Sequence, residues 1–355
     1  MRNDLLVFER FRDIWSDDPF FDSLKADYAE FEEWFKKKGN HQAFTFQNEV
    51  GLLDGFLYLK VEDEPVLDTT PPLPHSRRLK IGTFKVNPHG TRLGERFIKR
   101  AFDIAVDQRV HALYVTIFEK HAALVDLFLR YGFERKALKR TANGEELVLE
   151  RRLDRAAGDV VLDYPRIPVK TDRHFILSLY PSWHSRLLPD SLLRTENSSI
   201  LQDVSHTNSI HKIYLTAMQG IDQLRRGDTL LIYRTAEGGP AYHTSVVTSL
   251  CVVEELTNIN KFPTVEQFLA YCAPYSIFPE TELRELYQKR RYPWVIRFTY
   301  NLAFHRRPNR RALIEQVGFN ADMYWGFFQI STQKLKYILK LSGDYEKAGS
   351  LVYSS

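Results

Sequence analysis

The residues from Asn87 to Gly94 are the first in the chain whose types and spacing suggest chemistry. They read Asn87-Pro88-His89-Gly90-Thr91-Arg92-Leu93-Gly94, between an apolar run and an amphipathic one. A strand that turns at once into a helix leaves the first helical N–H groups without partners, and the helix dipole adds positive potential there. Such a place suits an anion such as a pyrophosphate. Gly90 and Gly94 allow close backbone approach, and His89 and Arg92 add positive or hydrogen-bonding character. Two glycines near a helix start also occur in an ordinary strand–turn–helix connection. A second feature is a run of charge. Arg284, Lys289, Arg290, Arg291, Arg297, Arg306, Arg307, Arg310 and Arg311 meet Glu285 alone. That density suits a phosphate backbone, or else a solvated basic face. Tyr292 and Trp294 stand beside Lys289-Arg290-Arg291, so stacking rings and phosphate-binding charges occur together. Trp183 and Tyr233 are further stacking candidates, with core packing the alternative for each ring.

The elements that must position these residues follow from periodicity. Leu79 to Val86 reads as a strand. Phe97, Ile98, Ala101, Phe102 and Ala105 form one apolar helical face. Leu113 to Phe118 is a second strand, and Ala122 to Phe128 a second helix that ends at Tyr131-Gly132-Phe133 with Gly132 as C-cap. Upstream, the pattern predicts a short helix over Leu5–Ile14, a longer one over Phe20–Lys38, and strands near 42–48 and 52–62. Downstream, Asn143-Gly144 predicts a hairpin between runs at 134–140 and 146–153. Residues 154–171 read as a linker. Beyond it the sequence predicts strands at 175–180, 212–215, 229–234, 241–253 and 294–298. Turns are predicted at Pro181–His184 and Gly238–Pro240, and a polar stretch spans 189–209. Helices are predicted near 219–224, 264–271, 281–290, 309–317 and 332–341. Thr264 and Gln267 form a capping box.

Residues 1–153 resemble a GNAT-fold N-acetyltransferase. His89-Gly90-Thr91-Arg92-Leu93-Gly94 stands where that family carries Gln/Arg-x-x-Gly-x-Gly/Ala, with His89 and Arg92 departing from it. His121 to Phe133 stands where the family has Asn-x-x-Ala-x-x-x-Tyr-x-x-x-Gly-Phe. His121 replaces the Asn, Phe128 replaces the Tyr that protonates the departing thiolate, and Gly132-Phe133 matches. The resemblance implies acetyl-CoA as cofactor, with its pantetheine aligned by backbone at Phe84, Lys85 and Val86. It places the pyrophosphate on His89 to Gly94 and counts His121 and Phe128 among the cofactor-binding residues. Acetyl transfer then needs a base for the amine. Glu119 and Asp54 are the candidates, each also readable as a surface carboxylate. Thr116 is a third site candidate or a β-branched filler. Tyr131 is one turn from the missing acid and points elsewhere.

Residues 172–355 resemble a PUA-like domain of the ASCH/EVE kind. Leu177-Ser178-Leu179, the Leu224-x-x-Gly227-Asp228-x-Leu230-Leu231-Ile232-Tyr233 segment and the returning strand Ser245–Val253 carry the resemblance. It implies binding of RNA or a modified nucleobase. The Gly-x-Lys-x-x-Glu-x-Arg segment of ASCH domains is not visible.

The expected fold is therefore α+β: an N-terminal GNAT-like mixed sheet flanked by helices, a linker at 154–171 and a C-terminal PUA-like small β-barrel with helices. The expected function is acetyl-CoA-dependent N-acetyl transfer acting on, or guided by, RNA, with tRNA or aminoacyl-tRNA as acceptor. The alternatives are a catalytically degenerate ligand sensor and a protein or small-amine acetyltransferase. Composition bounds the rest. Charges balance through Arg155, so the whole net +4 lies in residues 156–355. No apolar run approaches the roughly 18 residues of a membrane span. The N-terminus has no secretion pattern. Cys251 and Cys272 lack metal or disulfide spacing. A cytoplasmic location and no metal are the expectations.

Overall fold

The computed structural model describes residues 6–48, 50–87, 92–169, 172–188 and 209–354. The chain divides into two compact units, Met1–Arg155 and Ala156–Ser355.

The first unit contains β1 (Val7–Arg10), α1 (Asp22–Asp27), α2 (Phe31–Lys37), β2 (Gln42–Gln47), β3 (Leu53–Asp63) and β4 (Arg77–Val86). These are followed by α3 (Leu93–Asp107), β5 (Ala112–Ile117), α4 (Ala122–Arg130), β6 (Glu134–Thr141) and β7 (Gly144–Arg152). The seven strands form one mixed sheet in the order β1-β2-β3-β4-β5-β7-β6. Only β4 and β5 are parallel, from Arg78↔Ala112 to Ile81↔Val115. Parallel neighbours require a crossover, and α3 supplies it. Beyond Ile81, β4 runs on to Val86 along β3 without β5 beside it. A register shift leaves Gly82 as an extra residue, between Leu59↔Ile81 and Tyr58↔Thr83. Such bulges bend a strand and re-aim its side chains.

Two expectations for the first 40 residues are corrected. The segment expected to be a helix over Leu5–Ile14 is, among its described residues, strand β1 and a short 3-10 turn. β1 pairs with β2 from Val7↔Thr45 to Arg10↔Gln42, and Phe8 stacks on Phe44 at 4.5 Å. Edge pairing decides a segment this short, because it is too short for a stable helix on its own. The single helix expected over Phe20–Lys38 is broken. Tyr28 takes an extended conformation between α1 and α2, at φ −132° and ψ 103°. The aromatics around this break form a core of this unit. Phe11 and Phe21 both meet Phe56 at 5.3 Å, edge to face, and all three rings are fully buried. Arg78 and Glu150 are also buried in this unit, paired at 2.8 Å.

The second unit contains β8 (Ile167–Val169), β9 (His174–Leu179), α5 (Pro181–Leu187), β10 (His211–Thr216), β11 (Thr229–Arg234), α6 (Ala241–Thr244) and β12 (Val246–Asn258). It continues with α7 (Val265–Cys272), α8 (Glu280–Lys289), β13 (Trp294–Ala303), α9 (Arg310–Glu315), β14 (Phe327–Ile330), α10 (Thr332–Ser342), α11 (Tyr345–Leu351) and β15 (Val352–Ser354). Six strands form a sheet ordered β10-β13-β12-β11-β9-β14, and β8 pairs with β15. Pro181 to His184, expected as a turn, opens helix α5, with Pro181 in the first turn, where its missing N–H costs nothing. The strand expected from Ala241 begins at Val246, because Pro240 starts the short helix α6. Thr264 caps α7 as expected, accepting from the Gln267 N–H at 3.3 Å.

Candidate functional site

The first unit encloses a cavity of about 1000 Å³. The bared end of β4 (Gly82 to Val86), the first turn of α3 (Leu93 to Glu95) and the N-terminal part of α4 (Ala122 to Leu124) line one part of it. Tyr58, Lys60 and Glu62 of β3, Lys80, Thr116, the α1–α2 segment and Lys139 and Glu146 line the rest.

The expected cofactor residues divide into four groups. Phe84, Val86, Leu93, Gly94, Arg92 and His121 line the cavity. Phe84 is also a packing ring, edge-on to Phe97 at 5.6 Å and Phe128 at 5.2 Å. Arg92 stands at the entry of α3 with a left-handed φ of 51°. Its guanidinium meets Glu95 at 3.1 Å, and Arg130 reaches the same carboxylate at 3.8 Å. Lys85 lines the cavity too, but its Nζ donates to the Phe20 carbonyl and the Ser23 hydroxyl. Burial holds its pKa below the usual lysine value. It straps β4 to α1. Phe128 is fully buried against Phe84 and Phe133 and is absent from the cavity wall. His89, Gly90 and Thr91 lie outside the described residues.

The expected base candidates do not come together. Glu119 is 70% exposed, paired with Arg135 at 3.0 Å and off the cavity wall. Strand β5 ends at Ile117, two residues before Glu119, whose side chain stays in solvent. Asp54 is buried but also off the wall. It accepts from Asn87 at 3.2 Å and fixes the chain where β4 ends. Thr116 is half-buried on the wall.

Sequence reasoning missed the groups that the cavity gathers. Tyr28, at the break between α1 and α2, donates to Glu146 at 2.6 Å. Burial and then the Glu146 carboxylate push its phenol well above the usual value. Glu62 accepts from Lys60 at 2.8 Å and from Tyr114. Burial raises its pKa, but those two hydrogen bonds and Lys80 outweigh it, so the net shift is downward. Asp27 likewise meets Lys120 and His121, the latter at 2.9 Å. Its burial is outweighed, and its pKa is lowered. One signal in the sequence could have found Glu146. On β7 it shares a face with Val148 and Glu150, and two carboxylates on a buried strand face are unusual.

Gly82 makes room for this wall. A Cβ there would stand 2.7 Å from Cδ1 of the Tyr58 ring. Gly82→Ala is expected to destabilise the unit by about 1–3 kcal/mol as the ring is displaced, read by urea denaturation. An unchanged midpoint would show that Tyr58 moves freely.

In the second unit the basic run is dispersed. Arg284 pairs with Glu280 and Glu266, Lys289 with Glu285, Arg297 with Glu254 and Arg311 with Glu315. Arg290 donates to the Ile259 carbonyl at 2.8 Å and lies 3.9 Å over the Tyr287 ring. Arg310 donates to the Ala321 carbonyl and covers Trp325. Arg307 is half-buried, and Arg291 and Arg306 are exposed. Tyr292 and Trp294 are partly buried against the core, and Tyr292 packs on Trp183 at 5.9 Å. Trp294 also borders a depression of about 540 Å³ with Arg225, Arg226 and Glu255. Tyr233, another stacking candidate, is buried against Trp325. His184 is a buried core group: burial first, then Arg234 and Arg307, push it down to about 3, and it pairs neutral with Thr248 at 2.8 Å. Among the described residues no helix is long and apolar enough to cross a membrane.

No protein-family model matches this sequence, and no curated protein matches it. Solved structures do align with parts of it. ASCH from Zymomonas mobilis is 12% identical over 48% of this chain and 96% of its own, with a TM-score of 0.30. The NatC complex bound to Gag peptide and CoA is 15% identical over 43% of this chain and 99% of the matched chain, with a TM-score of 0.29. Nourseothricin acetyltransferase is 18% identical over 31% and 63%, with a TM-score of 0.25. At these identities and scores, none of them bears on chemistry.

Proposed function

We propose that the chain is an acyl-CoA-dependent N-acyltransferase that uses acetyl-CoA, with the cavity of the first unit as its active site. The observation that carries this reading is the parting of two parallel strands. β4 and β5 are paired only as far as Ile81↔Val115, and the edge of β4 from Gly82 to Val86 then lines the cavity. A bared strand edge offers N–H and C=O groups to an extended, amide-bearing chain, as a pantetheine is. The start of α3, with Arg92 and Arg130 beside it, suits a pyrophosphate.

When bound, acetyl-CoA supplies an acyl thioester. The chain's residues hold, orient and move protons around it. Glu146 is the base for the acceptor amine, with Tyr28 positioning its carboxylate through the 2.6 Å hydrogen bond. Tyr28 itself is a poor proton donor, because burial and Glu146 hold its proton tightly. Phe128 has no proton to give, so the departing thiolate takes one from water. The α1–α2 segment covers the acceptor part of the cavity.

RNA is the partner proposed for the second unit. Arg225, Arg291 and Arg306 are exposed and make no side-chain ion pair among the described residues, which favours phosphate contact. This reading implies a cytoplasmic setting and keeps tRNA as the acceptor to test first. The buried Phe128 favours a second reading, a sensor that binds acyl-CoA without turnover.

The experiment is a calorimetric titration of the full chain with CoA, followed by label transfer from acetyl-CoA into a total cell extract with and without ribonuclease. One equivalent of CoA bound and ribonuclease-sensitive label are expected. No CoA binding would overturn the acyltransferase reading, and binding without any label would favour the sensor.

A further inference from the structure

The acceptor part of the cavity has a charge imbalance built into the sheet. Lys60, Lys80, Tyr114 and Glu150 stand in one row across β3, β4, β5 and β7. Lys60 and Lys80 are direct cross-strand partners, and like charges so placed repel. Three cations of this neighbourhood are neutralised. Lys60 pairs with Glu62 at 2.8 Å, Arg78 with Glu150 at 2.8 Å and Lys139 with Asp68 at 2.7 Å. Lys80 forms no ion pair of its own among the described residues, although Glu62 and Asp68 lie near enough to act on its charge. Among the described residues its Nζ makes no hydrogen bond or ion pair, only a contact 5.6 Å above the Tyr114 ring. It nevertheless lines the cavity, as does Glu146, which accepts from Tyr28 and forms no ion pair among the described residues. Among the described residues, one wall thus holds an ammonium with no hydrogen-bond or ion-pair partner and another a carboxylate held by Tyr28 without an ion pair.

We propose that the acceptor amine of this site also carries an anionic group, a carboxylate or a phosphate, and that Lys80 holds that group while the amine faces Glu146. The pairing would complete the charge pattern that the sheet leaves open. Burial, ahead of all neighbouring charges, also lowers the pKa of Lys80; Glu62 and Asp68 act against this lowering, while Lys139 and Lys60 add to it. A bound anion would reverse this. The proposal rests on the acyltransferase reading for the role of the amine, but not for the anion site.

The test is reductive methylation of the full chain, mapped by mass spectrometry at Lys60, Lys80 and Lys139. It is run in inorganic phosphate, in acetate and in chloride at equal ionic strength. Methylation requires the free amine, so an anion on Lys80 slows it. Phosphate or acetate at about 10 mM is expected to slow Lys80 by about tenfold for a site of about 1 mM affinity, while Lys60 and Lys139 stay unchanged. Protection by phosphate alone identifies a phosphoryl group, and protection by acetate alone a carboxylate. Equal rates at Lys80 in all three salts, or equal slowing of all three lysines, overturn the proposal. A CoA titration of the same sample separates the two ideas. CoA binding without Lys80 protection sinks this inference alone, and Lys80 protection without CoA binding sinks the acyltransferase reading alone.

Discussion

Glu146→Gln is expected to lower label transfer from acetyl-CoA by about 10²–10⁴-fold in kcat, the usual loss when a positioned general base is removed. The substitution keeps the size of the side chain and the acceptor oxygen for Tyr28, so the cavity should keep its shape. CoA affinity is expected to stay the same, because the bared edge of β4 and the start of α3 are formed by other elements. Tyr28→Phe is the companion variant. It leaves the carboxylate in place but releases it from the 2.6 Å hydrogen bond, so a smaller loss is expected. Unchanged turnover in Glu146→Gln would move the base elsewhere on the wall, to Glu62 first. That carboxylate is less suited to the role, since Lys60, Tyr114 and Lys80 together favour its charged form over proton uptake.

Glu150→Ala is expected to destabilise the first unit by about 3–5 kcal/mol, because it leaves the Arg78 guanidinium buried without its carboxylate. Arg78 is 1% exposed and Glu150 6%. The double replacement Arg78→Met with Glu150→Leu should recover most of the loss, since a buried pair costs desolvation that apolar side chains of similar volume avoid. Hydrogen exchange on β4, β5 and β7 localises the effect, as the row through Tyr114 and Glu150 joins these strands. A Glu150→Ala protein with native exchange protection would mean that the guanidinium finds other partners.

The local signals in the sequence and the structure agree where one element suffices to decide. β4, α3, β5 and α4 follow in the expected order, with the Asn143-Gly144 hairpin after them. Gly132 takes the left-handed φ of 77° that a helix end requires. These are matters of period and of backbone freedom, both readable within a dozen residues. The same locality explains the misreadings. Leu6, Phe8, Phe11 and Ile14 satisfy a helical spacing, yet the edge of β2 claims the segment. The Phe20–Lys38 run has an unbroken helical period, but its break at Tyr28 brings the phenol to Glu146, 118 residues away.

What the sequence determined by itself was the kind of element at each place and the bare feature of a strand turning into a helix through glycines. Charge balance, by contrast, comes from the folded arrangement. The basic run at 284–311 was dense along the chain, but carboxylates such as Glu254, Glu266 and Glu315 meet much of it in space. Lys80 is one lysine among many along the chain, and only the sheet pairs its neighbours while leaving it without an ion pair among the described residues. Periodicity is a property of consecutive residues, and it survives in any fold that uses them. Electrostatic balance is a sum over neighbours from distant strands, fixed only when register and strand order are set.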